Sequence, residues 1–116
     1  MTISTNTTTP PHLPEAIAGY IASANAHDTQ AVAAWFTPDA VVKDEGRDRR
    51  GIAAITAWKE EVTRKYQPLT QTLGADTKGD TTVVTARVSG NFPGSPVELR
   101  YAFTLHGGKI ARLEIV

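Results

Sequence analysis

Between Val97 and Leu105 every second residue is apolar: Val97, Leu99, Tyr101, Phe103 and Leu105, with Glu98, Arg100, Ala102 and Thr104 between them. Period-two alternation marks a strand with one covered and one open face. This segment therefore belongs to a sheet whose apolar side is closed by another layer. His106-Gly-Gly-Lys109 follows as a tight turn, and Ile110 to Val116 returns as a last strand. Upstream, Leu69 to Ala75 and Thr82 to Ser89 are strand-like, with Asp76-Thr-Lys-Gly-Asp80 as the turn between them. Gly90-Asn-Phe-Pro-Gly-Ser-Pro96 reads as a loop. The second half is expected to be an antiparallel meander.

The first half has helical periodicity. Leu13, Ile17, Tyr20, Ile21 and Ala24 recur on one face. Pro14 and Glu15 suit a first turn, where a missing N–H costs little and a carboxylate meets the positive helix end. Asn25-Ala-His-Asp28 breaks the pattern, and Asp28 can cap a second short helix carrying Val32, Trp35 and Phe36, ended by Thr37-Pro38-Asp39. Ala40 to Asp44 reads as a short strand and Gly46 to Gly51 as a charged loop. Ile52, Ile55, Trp58 and Val62 then form the apolar stripe of a third helix that stops before Gln67-Pro68. Helices followed by a meander imply an α+β fold, with helices packed on one face of a curved sheet, an arrangement able to enclose a conical pocket.

At 116 residues the chain is read as one domain, residues 12–116, preceded by a polar, Thr-rich flexible arm at 1–11. There is no cysteine, which excludes disulfides, thiolate metal sites and cysteine nucleophiles. Twelve basic and twelve acidic residues cancel, against a general nucleic-acid binder. No apolar run reaches the length of a membrane span, and the expected location is the cytoplasm. His12, His27 and His106 have no partners at metal-ligand spacing, so no metal is assigned. No serine elbow, phosphate loop or dinucleotide fingerprint is present, and no cofactor is expected.

The candidate chemistry lies in Asp44 and Tyr20. With Lys43 facing water, strand alternation turns Val42 and Asp44 inward. Asp44 is then either a general base or an acid bonded to the backbone of the Asp44-Glu45-Gly46 turn. Tyr20 is either a phenol donor to a substrate carbonyl or a core aromatic with a backbone partner. Trp35, Phe36, Trp58, Tyr101 and Phe103 are the expected apolar substrate-binding wall. Arg47, Arg49 and Arg50 are offset by Asp44, Glu45 and Asp48, which suits a solvated, self-paired loop better than an anion clamp.

Tyr20…Asn25-Ala-His-Asp28, Phe36…Asp39-Ala-Val-Val-Lys-Asp44, Gly51-Ile-Ala-Ala-Ile and Phe103-Thr-Leu-His-Gly-Gly-Lys-Ile110 together resemble the nuclear transport factor 2-like superfamily, from about Leu13 to Val116. That group includes ketosteroid isomerases and SnoaL-like polyketide cyclases. The resemblance implies a cone-shaped (cystatin-like) fold of three N-terminal helices on a curved, mostly antiparallel sheet. In ketosteroid isomerases a tyrosine donor lies in the first helix and an aspartate base follows the first strand. Tyr20 and Asp44 fall at those places without a gap. Those enzymes also use a second, protonated aspartate in the penultimate strand. This chain has none there. Tyr101 matches if the last hairpin is one residue shorter, and Arg100 matches without a gap.

Two functions follow. One is a small-molecule-binding domain that isomerises or cyclises an apolar substrate by proton transfer α to a carbonyl, with Asp44 as base and Tyr20 on the enolate oxygen. The other is a non-catalytic ligand-binding or dimeric interaction module, favoured by the missing acid. The resemblance also implies a homodimer formed through the outer sheet face, which carries Glu98, Arg100, Ala102 and Thr104 beside Arg112 and Glu114.

Overall fold

The computed structural model describes residues 12–116; the N-terminal arm at 1–11 lies outside the described residues. The elements in chain order are α1 (Glu15–Asn25), α2 (Thr29–Ala33), β1 (Phe36–Asp44), β2 (Arg47–Arg50), α3 (Ile52–Tyr66), β3 (Leu69–Lys78), β4 (Thr81–Ser89), β5 (Val97–His106) and β6 (Lys109–Ile115). The six strands form one sheet in the order β2-β1-β6-β5-β4-β3. Only the β1–β6 pair is parallel, so the last strand lies between the first strand and the meander. The sheet is curled and unclosed, and the helices cover its inner face.

Local chemistry sets the helix ends. The carbonyl of Pro14 accepts from the N–H groups of Ile17 and Ala18, both at 3.0 Å, and opens α1. The Asp28 carboxylate accepts from the Ala31 N–H at 3.1 Å and caps α2. Gln67, at φ 45°, closes α3 in the left-handed conformation. Ile17, Tyr20, Val42, Ile55, Val84, Phe103, Ile110 and Leu113 are buried between the two layers.

Three local expectations change. Phe36 is on β1, not on the second helix, because it pairs with Ile110 while the Trp35 carbonyl accepts from the Ile110 N–H at 2.8 Å. Tertiary pairing here overrides helical spacing, and Pro38 is accommodated where the β1–β6 register shifts. Arg47 to Arg50 is not a loop but β2, registered from Asp44–Arg47 to Val41–Arg50. Glu45 and Gly46, at φ 55° and 72°, supply the left-handed turn that a two-residue hairpin needs. Arg49 donates to the carbonyls of Asp44 (2.7 Å) and Arg47 (3.2 Å) instead of pairing with an acid. The β3–β4 hairpin is also longer than expected: β3 runs to Lys78, and the hydroxyls of Thr77 and Thr82 meet at 2.8 Å.

Candidate functional site

A cavity of about 450 Å³ opens between α3 and the β3–β6 half of the sheet. That volume suits a small organic ligand. The helix supplies Trp58, Lys59, Val62 and Tyr66, and β5 supplies Val97, Leu99 and Tyr101. Val88, Phe92 and Pro93 form another wall, with Pro68 and Thr70 at the rim and Asp44, Glu45, Ile115 and Val116 completing the lining.

The rim is held by specific bonds. The Asn25 side chain binds the Thr70 backbone like a neighbouring strand, donating to its carbonyl at 2.9 Å and accepting from its N–H at 2.7 Å. His27 Nε2 lies 3.0 Å from the Pro68 carbonyl. The end of α1 thus fixes the start of β3. Across the cavity, the Asn91 N–H donates to the Tyr66 carbonyl at 2.7 Å, and the Phe92 ring meets the Tyr66 ring edge-on at 5.9 Å. Gly90 is required at this crossing, since a Cβ there would run into the Tyr66 carbonyl.

Asp44 ends β1 at the cavity wall and is half-buried. Its Oδ2 accepts from the Trp58 indole N–H at 3.0 Å. That bond, not a contact with the following turn, orients the carboxylate. Oδ1 has no protein donor among the described residues and remains available to a ligand. Tyr101 is buried on the inward face of β5, while Arg100 is exposed on the outer face. Of the two residues that the sequence left open for the second donor position, only Tyr101 reaches the cavity. Burial pushes the Tyr101 phenol up to about 12, opposed by the nearby Thr70 side chain and assisted by the Asp44 charge.

Tyr20 lies behind this wall and does not line the cavity. Its ring packs edge-on against Phe36 at 5.8 Å and Phe103 at 5.5 Å. Its hydroxyl is buried without a hydrogen-bond partner among the described residues. Burial, then the neighbouring Tyr101 and Asp44, hold its pKa well above the usual phenol value. Phe36 and Phe103 are buried with it in the core, and Phe103 stacks on Tyr101 at 6.2 Å. Trp35 lies outside the cavity against Gly19 of α1, where a Cβ would strike its indole, and donates its ring N–H to Ser23 Oγ at 3.2 Å. The structure therefore brings Asp44, Trp58 and Tyr101 together at the cavity. It places Tyr20 beneath it and Trp35, Phe36 and Phe103 away from it.

Lys59 was missed by the sequence reading. It is 7 % exposed, lines the cavity, and its ammonium lies 5.1 Å from the Trp58 ring centre and 5.5 Å from that of Tyr20. Burial lowers its pKa from 10.5 to about 8, against the opposing pull of the Asp44 charge. A signal was present: Lys59 stands four residues after Ile55 and three before Val62, on the inward stripe of α3. Among the described residues no group of three or more His, Asp or Glu side chains could hold a metal, and no helix is long and apolar enough to cross a membrane.

Comparison with known proteins agrees with this architecture. A candidate polyketide cyclase from Sinorhizobium meliloti superposes with a TM-score of 0.87 at 42% identity, over 90% of this chain and 95% of that one. A hypothetical protein with a ketosteroid isomerase-like fold from Catenulispora acidiphila, solved in complex with trimethylamine, gives a TM-score of 0.81 at 19% identity, covering 90% of this chain and 86% of that one. An epoxide hydrolase/cyclase-like enzyme of pyran ring formation in salinomycin gives 0.77 at 20% identity, covering 87% and 86%. No curated protein matches the sequence. The fold is nuclear transport factor 2-like, and the SnoaL-like domain family matches residues 17–113. The chain belongs to the SnoaL-like domain family.

Proposed function

We propose that the protein binds an apolar small molecule in this cavity and acts on it as a cofactor-independent isomerase or cyclase, by proton transfer next to a carbonyl group. The observation that carries the reading is Asp44: it lines a largely apolar cavity, one carboxylate oxygen is fixed by Trp58, and the other has no protein donor among the described residues. A base held in this way keeps its orientation as it takes a proton from carbon. Tyr101, protonated throughout the neutral range, is the cavity phenol that would donate to the enolate oxygen. Tyr20 lies behind the cavity wall with its hydroxyl unpaired among the described residues, and this reading gives it no contact with substrate. The relation to a candidate polyketide cyclase supports the reaction class.

A deuterium-exchange assay tests this reading. With 2-tetralone in heavy water, followed by NMR, the wild-type protein is expected to speed exchange at the α-carbon. Asp44→Asn keeps the bond from Trp58 possible but cannot accept the proton. It should lower the enzymatic rate by about 100-fold or more. An unchanged rate in a folded Asp44→Asn protein refutes Asp44 as the base.

The alternative is a non-catalytic binding or interaction module. The buried aromatic cluster behind the cavity favours it, because Tyr20 donates to nothing in the described structure. Retention of a small molecule by purified protein, with no exchange activity on any enolisable ketone, would select that reading. Homodimerisation through the outer sheet face belongs to both.

A further inference from the structure

We propose that Lys59 is an amine nucleophile that forms an imine with apolar aldehydes or ketones entering the cavity. This activity goes beyond the Asp44 proton transfer and does not require it. Three features of the site carry it. The amine is nearly excluded from bulk water yet lines a cavity large enough for an organic carbonyl compound. It makes no hydrogen bond or ion pair among the described residues, so nothing must be broken before it attacks. Its ammonium also stands over the Trp58 and Tyr20 rings and within reach of the Asp44 charge, which offset part of the cost that burial places on a cation there.

The last feature decides between two uses of a buried lysine. A lysine that binds an anionic ligand needs a site of net positive charge. Here Asp44 and Glu45 share the cavity with a single Lys59, so an anion would be repelled. A neutral carbonyl compound meets no such barrier. Its imine, once protonated, is a cation in the position the ammonium held, and the same two rings and carboxylate stabilise it. Desolvation acts in the same direction, because it raises the share of neutral amine near neutral pH.

The step balances without a further reagent. The neutral Lys59 nitrogen adds its lone pair to the carbonyl carbon, and its proton passes to the carbonyl oxygen to give a carbinolamine. The hydroxyl then takes up one more proton and leaves as water, and the C=N bond forms as a protonated imine. Asp44 is the nearby group that can carry these protons. When the ligand has an α-hydrogen, Asp44 can take it, leaving a neutral enamine.

Reductive trapping tests the proposal with the protein's own lysines as controls. The native protein is treated with 2-naphthaldehyde and sodium cyanoborohydride near pH 7.5, and the modified positions are located by peptide mass spectrometry. The chain has Lys43, Lys59, Lys65, Lys78 and Lys109. If reactivity followed exposure, Lys59 would be the slowest. The expected result is the reverse: Lys59 is labelled at least about tenfold faster than any other lysine, and the preference disappears in guanidinium. Lys59→Arg, which keeps the charge but cannot form the imine, should lose the fast label. Equal labelling, labelling in order of exposure, or a preference that survives unfolding overturns the proposal. This aldehyde has no α-hydrogen, so trapping does not depend on a carbon acid. Trapping without ketone exchange refutes only the Asp44 reading, and exchange without trapping refutes only this one.

Discussion

The inward face of β5 does two different jobs along one unbroken alternation. Phe103 is fully buried and shares the closed base of the cone with Ile17, Tyr20, Ile110 and Leu113. Val97 and Leu99, only a few residues away on the same face, stay half-exposed and line the cavity. The residue types do not explain the contrast, since Leu99 is as apolar as Leu113. What differs is the layer above. α1 lies over the base and fills it with side chains, while α3 and the 90–96 loop stand away from the open end. Inward parity therefore makes a side chain either core or lining, and the covering helix decides which.

Truncation at the two ends should separate them most strongly. Phe103→Ala removes a ring packed against Tyr20 and Tyr101 and leaves a void in the base. A loss of about 3–5 kcal/mol is expected in denaturant unfolding. Leu99→Ala only enlarges an existing cavity and should cost about 1 kcal/mol or less, because little of its contact area is lost. Equal losses would show that the cavity collapses in solution and that the contrast between base and mouth is absent there.

The same contrast explains what could be read from sequence. The meander, the three helices and the inward side of Asp44 follow from periodicities that local residues control. Only part of the aromatic wall followed: Trp58 and Tyr101 line the cavity, whereas Trp35, Phe36 and Phe103 do not. Helical spacing put Phe36 on α2, but a backbone bond from Ile110, more than seventy residues away, draws the chain into β1. Trp35 was an apolar residue of the right size, yet Gly19 offers it a flat seat on the far side of α1. Lys59 was hidden for the opposite reason: charge suggested solvent, although its spacing from Ile55 and Val62 placed it inward. Contacts that depend on distant partners leave no local periodic trace.

Lys59 sharpens the comparison through pH. Its folded pKa of about 8 lies below its ordinary 10.5, so under pH 8 both folded and unfolded states are charged and the full desolvation cost is present. Between pH 8 and 10.5 the folded state gives up the proton first, and stability rises. Above pH 10 the unfolded state gains from ionised phenols, whereas Tyr20 and Tyr101 stay protonated in the fold, and stability falls again. A maximum near pH 9–10 is expected, with a rise of at most about 3 kcal/mol from neutrality, reduced by the contacts of the ammonium with its two rings. Lys59→Met should be more stable at pH 7 and lack the rising limb. A rise that persists unchanged in that variant would assign it to another group.

Tyr20 marks the boundary between base and cavity. Tyr20→Phe deletes a buried hydroxyl that has no partner and leaves the ring packing in place. Stability should hold or increase by about 1 kcal/mol. α-Carbon exchange should slow by less than the ~100-fold typical of a directly contacting donor. Loss of stability in Tyr20→Phe would reveal a hydrogen bond to the hydroxyl. A 100-fold or greater slowing would mean that the phenol enters the cavity during turnover.

The smallest effect on the fold is expected on the opposite face of the same strand. Glu98 and Arg100 are exposed there, and Arg112 and Glu114 of β6 approach to 3.9 Å on the neighbouring strand. This face covers no core, so Arg100→Glu should change folding stability by less than about 0.5 kcal/mol. Its effect should appear in association instead. The proposed two-fold contact would set Arg100 near an acidic side chain of a second copy, and reversing one charge in each subunit places two repulsions in one interface. Light scattering at micromolar concentration should give a dimer mass for the wild type and a shift toward monomer for Arg100→Glu. A monomer mass for both proteins would leave the outer face as a solvated sheet surface, which an antiparallel pair tolerates.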